Sequence, residues 1–228
     1  MILNILLILI LILIVALVGT DGLWHNLLVF FNVLFAGTLT MCFFEPLALW
    51  LDYKLPTYSY VVDILAFWGL FALLSIALNI CTRLLSKVRV RFLKPIDTIG
   101  GIFVSLWTGW VMVALILVSL HMAPLPLNSF GGTFQPAPES RMFFGLAPDR
   151  EWLAWMHQLS KGGFSKSADE NNPDEHVFDP EADFIITYGA RRATLEKLPG
   201  LRVERTWGSG LIQNQPTAAT PPPESVQQ

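Results

Sequence analysis

Arg83-Leu-Leu-Ser-Lys87-Val-Arg89-Val-Arg91-Phe-Leu-Lys94-Pro95-Ile-Asp97-Thr-Ile-Gly100-Gly101-Ile-Phe-Val-Ser105-Leu-Trp107-Thr-Gly109 decides how the rest of the chain is arranged. Its first half is a short basic run containing Arg83, Lys87, Arg89, Arg91 and Lys94. Its second half opens a long apolar segment in which Gly101, Ser105 and Gly109 recur every fourth residue. The basic run lies between two segments long enough to cross a bilayer. Short loops rich in Lys and Arg stay on the cytoplasmic side. Residues spaced by four share one helix face, and small side chains on such a face let membrane helices approach closely. The segment therefore predicts a central, tightly packed helix entered from the inner side.

Composition agrees. Of the 228 residues, 53% are hydrophobic and only 14% charged, well below the quarter usual in soluble domains. Mean hydropathy is +0.51, and the apolar residues crowd into the first half. This reads as an integral membrane protein. The formal net charge of -3 divides between a basic loop and a mildly acidic tail. Neither matches the dense basic surface of a nucleic-acid binder.

Working outward, residues 1-122 are expected to form an all-α domain of four transmembrane helices, near 2-19, 27-50, 61-85 and 99-120. Ile2 to Val18 is almost pure Ile, Leu and Val. It lacks a basic start and exceeds the usual signal-peptide core, so it reads as an uncleaved helix at the lipid-facing edge. Gly19-Thr-Asp-Gly22 is a turn. The second run carries Glu45-Pro46 near its far end, where Pro46 is expected to kink it, and closes on Trp50 and Tyr53 at headgroup level. The third run has Asp63 in its first turn, favoured by the helix dipole, and Ala66, Gly69, Ala72 and Ser75 as a packing flank. Cys42 is expected near the outer face and Cys81 near the inner face, too far apart for a disulfide, and both read as buried small apolar residues.

A Pro/Gly linker follows over 123-140, then a small tail over 141-212. A helix is expected near 149-160, with Asp149 as N-cap and Trp152, Trp155, Met156 and Leu159 on one face. It lies on the bilayer surface or packs on the rest of the tail; both readings stay open. Phe184–Tyr188 reads as a strand, and 191-198 as helix. From 213 to 228, Pro, Gln, Thr and Ala dominate and predict disorder.

Three features of the first half resemble the colicin V production (CvpA) family of bacterial inner-membrane proteins. They are the Leu/Ile-rich first helix followed by Gly19 and Gly22, the Glu45-Pro46-Leu-Ala segment, and a basic loop leading to Asp97-Thr-Ile-Gly100-Gly101, Ser105 and Gly109. The resemblance covers about residues 1 to 122. One departure is the first loop, usually basic in the family, which has no Lys or Arg here. The resemblance implies a role in toxin production or export and in envelope physiology, with no catalytic residue and no cofactor. Some relatives carry an outer-face serine protease after such a unit, but this tail is short and holds no Gly-x-Ser-x-Gly motif.

The candidate functional residues are therefore membrane carboxylates. Glu45 and Asp63 are expected at similar depth near the outer face, where they read as solvated helix ends or as an ion path. Asp97 is expected to cap the fourth helix and to answer Arg83 or Lys87. The basic loop is expected to set topology and to meet anionic lipid headgroups. The acidic run Asp174 to Asp183 lacks calcium-loop spacing, and no His-Glu-x-x-His motif occurs. His25 and His121 read as interfacial. The expected partners are the lipid bilayer and an envelope protein. The expected place is the inner membrane, with both the N-terminus and the tail on the outer face.

Overall fold

A computed structural model describes residues 2–55, 58, 61–85, 92–125, 129–134, 140–161, 177–179 and 181–197. Among them every regular element is a helix: α1 (Ile2–Val18), α2 (Leu23–Lys54), α3 (Val62–Leu85), α4 (Lys94–Met122), a single turn α5 (Ser129–Gly132), α6 (Pro148–Lys161) and α7 (Phe184–Lys197). By length and composition α2, α3 and α4 are able to cross a membrane, and α1 is a shorter apolar helix of 17 residues. Lys87, Arg89 and Arg91, most of the acidic run's first half, and residues 213–228 lie outside the described residues.

Several boundaries differ from the sequence reading. α2 starts at Leu23, four residues early, because Asp97 and Gly22 build its N-terminus. It continues past Pro46 to Lys54. α4 starts at Lys94, with Pro95 in its first turn, where a fixed φ and a missing N–H suit the helix. Phe184–Tyr188 is not a strand; it opens α7. Asp179 Oδ1 accepts the backbone N–H groups of Asp183 and Phe184, which nucleates the helix. Phe184, Tyr188 and Arg192 are then buried on one helical face.

The helices pack as a row, α3 on α2, α2 on α4 and α4 on α1. Contacts fix the directions. Gly101 of α4 meets Asn26, and Leu115 meets Gly37, so α2 and α4 run parallel. Asn32 Nδ2 donates to Thr82 Oγ1, and Phe44 stacks edge-on against Phe67, so α3 is antiparallel to α2. One end of the row thus collects the Gly19–Gly22 turn, Arg83 and Lys94. The opposite end collects Ile2, Asp63 and His121.

α4 is central, as its small-residue stripe predicts. The α3 flank is not: Ala66 is buried, but Gly69 and Ala72 are exposed and nothing lies near Gly69. Cys42 and Cys81 are free and exposed rather than buried, since each points away from the row. α1 fully buries only Leu3 and Leu7, packs Ile8 and Leu11 partly against α4, and presents Ile2, Ile5, Leu6, Leu9, Ile12, Leu13 and Leu17 outward.

α6 neither lies apart on a bilayer surface nor packs only on the tail. Trp152, Leu153 and Met156 join the core formed by Ala36, Phe44, Leu115 and Val118 of α2 and α4. Trp155 turns outward, off the face expected for it.

Candidate functional site

Asp97 lies in the first turn of α4, but its carboxylate serves another helix. Asp97 Oδ1 accepts the backbone N–H of Leu23 at 2.9 Å, at the start of α2. A helix N-terminus has orphan N–H donors and a positive partial charge, so a carboxylate there satisfies both. The contact requires Gly22, whose φ of 89° and ψ of 158° fall in a region essentially closed to other residues. A Cβ on Gly22 would stand 3.0 and 3.3 Å from the two Asp97 oxygens. Asp97 is thus a cap delivered from α4 to α2, which corrects the expectation that it caps its own helix.

The small residues extend this seam along α4. Asn26, fully buried, donates from Nδ2 to the Gly101 carbonyl at 2.9 Å. A Cβ on Gly19 would lie 3.1 Å from Ser105 Oγ, and one on Gly109 would lie 2.7 Å from Leu11 Cδ1. Gly101, Ser105 and Gly109 therefore serve contacts within the chain, seating the α1–α2 turn and α1 itself.

The other end of the row holds a second set of polar residues. Asp63 has no exposed surface and forms an ion pair with Arg191 of α7. Glu45, on α2, lies in the electrostatic reach of Asp63 and Asp179. His121, in the last turn of α4, and Asp149, in the first turn of α6, are buried together with Nε2 and Oδ2 at 2.9 Å. Asp149 is therefore spent on α4 instead of capping α6. Arg192 Nη1 donates to the His121 carbonyl at 2.6 Å, and its guanidinium stacks over Phe134 at 5.2 Å. Burial lowers the Arg192 pKa to about 10. Burial raises the Asp179 carboxyl above its ordinary value, against the two backbone N–H groups it accepts.

Glu45 thus lies within the electrostatic reach of Asp63, while Asp97 stands at the opposite end of the row. From Asp97 to His121 is about 36 Å along the helix. The sequence reading missed Asp149, Arg191 and Arg192 as partners of the membrane helices. The signal present was helical spacing, Phe184, Tyr188 and Arg192 falling four apart. His121, read as interfacial, is instead enclosed. Among the described residues no group of His, Cys, Asp and Glu is arranged to hold a metal ion.

No curated protein and no solved structure matches the chain. A family model described as colicin V production protein matches residues 3–137, more than half of the 228 residues. The matched segment takes in α1 to α4 and stops before α6, so the Asp97–Gly22 cap and the Gly101, Ser105 and Gly109 seam fall inside it, and the docked tail falls outside. By that match, and with apolar helices long enough to span a bilayer, this chain belongs to the colicin V production protein family of membrane proteins.

Proposed function

We propose that the protein crosses the bacterial inner membrane four times, with the N-terminus and the tail on the outer face. In this reading it is a non-enzymatic accessory or scaffold protein for toxin production or secretion and for envelope physiology. The basic run supports the orientation, because Arg83 and Lys94 share one end of the row with the Gly19–Gly22 turn. The observation that carries the scaffold reading is the use made of its charged residues. Asp97, Asp63, His121, Asp149, Arg191 and Arg192 are all engaged in joining one element to another. Asp97 ties α4 to α2 at the inner end, and the other five tie α3, α4, α6 and α7 together at the outer end, where a partner would be held.

The test is co-purification in mild detergent from cells producing the full chain or residues 1–122. A scaffold retains a defined envelope protein, and loss of the tail changes what is retained. Reporter enzymes fused beyond Pro126 check the orientation; activity confined to the cytoplasm overturns it.

A second reading, a small transporter or channel subunit, is favoured by the convergence of Glu45, Asp63 and Asp179 at one end. Proteoliposome flux that falls in Glu45→Gln and Asp63→Asn variants would establish it in place of the scaffold.

A further inference from the structure

The segment from Ser140 to Lys161 dips beside the membrane helices and returns. Met142 and Phe143 pack with Leu3, Leu7, Val113 and Leu117. The Phe143 ring is 5.8 Å from that of Trp110, and Trp110 Nε1 donates to Glu151 Oε2 at 3.1 Å. Trp110 lies twelve residues before Met122, about 18 Å along α4. Trp152 likewise reaches Gly37, eight residues or about 12 Å short of Glu45. The apolar layer extends past these levels. The exposed residues of α1, Leu9, Leu6, Ile5 and Ile2, are apolar up to its start, where Ile2 is 61% exposed and lies beside Gly131.

Two features of this re-entrant segment do not suit a lipid neighbour. First, its turn is irregular backbone on the open surface: Phe144 and Gly145, both exposed, have φ of 56° and 85°. Irregular backbone at membrane depth is tolerated only against protein or water. Second, Arg141 and Glu151 are both exposed there. Ionisable groups at such depth face a partner or an aqueous space. One exposed acid and one exposed base on the same short segment let the segment complement a second copy of itself, the condition for a two-fold contact.

We propose that the face formed by α4 and the re-entrant segment is where two copies of this chain associate, Glu151 of each copy meeting Arg141 of the other. The apolar remainder of the face, Trp107, Phe144, Leu146 and Trp155, packs around this polar centre. The re-entrant helix lies beyond the family-matched residues, so this interface goes beyond the accessory role and does not depend on it.

The experiment uses the full chain with Cys42→Ser and Cys81→Ser. Ala154→Cys, on the exposed side of α6, is oxidised in native membranes and compared with Leu9→Cys on the open side of α1. Ala154→Cys is expected to give at least a fivefold higher yield of disulfide dimer. Glu151→Arg and Arg141→Glu each reduce that yield to the Leu9→Cys level, and the double exchange restores it. Mass measurement in lipid nanodiscs is expected to report two chains for the native sequence and one for each single exchange. Equal yields at the two cysteine positions, a single-chain mass for the native sequence, or failure of the double exchange to restore the dimer overturns the proposal.

Discussion

Replacing Gly22 by Ala should destabilise the membrane domain by roughly 2–4 kcal/mol, from two effects that can be separated. The first is conformational. At a φ of 89° and ψ of 158°, a residue with a Cβ is held where it costs about 1–3 kcal/mol. The second is the contact: the added methyl stands 3.0 Å from Asp97 Oδ2 and 3.3 Å from Oδ1, so the carboxylate must leave Leu23. Loss of an N-cap costs about 0.5–2 kcal/mol. Asp97→Ala removes the cap alone and should cost about 1–2 kcal/mol. The double variant loses the cap only once, so its cost should fall short of the sum by about 1 kcal/mol. Asp97→Asn keeps an acceptor for the Leu23 N–H and loses only the charge at the helix end, about 0.3–1 kcal/mol. The assay is reversible unfolding in mixed micelles of increasing anionic detergent, followed by helix content. A Gly22→Ala variant within 0.5 kcal/mol or so of the native chain, or strict additivity in the double variant, would refute the cross-helix cap.

Gly37→Ala places a methyl 3.0 Å from Leu115 Cδ1 and Trp152 Cζ2, an overpacking that typically costs about 1–3 kcal/mol; limited proteolysis should cut between α5 and α7 faster, and Trp152→Leu should reverse much of the effect. Asp63→Ala leaves Arg191 without its buried carboxylate, and breaking such a pair costs about 3–5 kcal/mol; the double Asp63→Ala, Arg191→Ala variant should hold its tail better than the single one in the same proteolysis assay. Asp179→Asn keeps the oxygen that accepts the Asp183 and Phe184 N–H groups but removes the titration. Because burial raises the folded carboxyl, its contribution is full below the unfolded pKa and is lost as pH rises through the folded one. Tail stability of the native chain should therefore gain on the Asn variant as pH falls toward the ordinary aspartate range, and a pH-independent difference would contradict this.

The membrane half was legible because bilayers impose a simple code. Long apolar runs and small residues four apart are each local patterns with one physical reading. Even there the destination of Asp97 was hidden. A first-turn carboxylate reads as a cap on its own helix, and only the three-dimensional meeting of α4 with the Gly19–Gly22 turn sends it to Leu23. The tail was less legible. Phe184-Ile-Ile-Thr-Tyr188 has the β-branched, aromatic look of a strand, yet Asp179, five residues upstream, nucleates a helix whose buried face the membrane helices complete. Tertiary context outweighed propensity. For the same reason Trp152 was placed on the correct face of its helix while the surface receiving that face, around Gly37 and Leu115, could not be read.

The seat of α6 is made from residues of α2 and α4, which leave the ribosome 70 residues or more apart in the case of Gly37 and Leu115. The tail has no place to settle until the last of the long helices has been inserted and has closed against its neighbour. Docking of α6 is thus a late step of biogenesis that reports on everything before it. A copy whose helices failed to assemble would lack that seat and carry an undocked α6, which limited proteolysis would cut faster than the docked one.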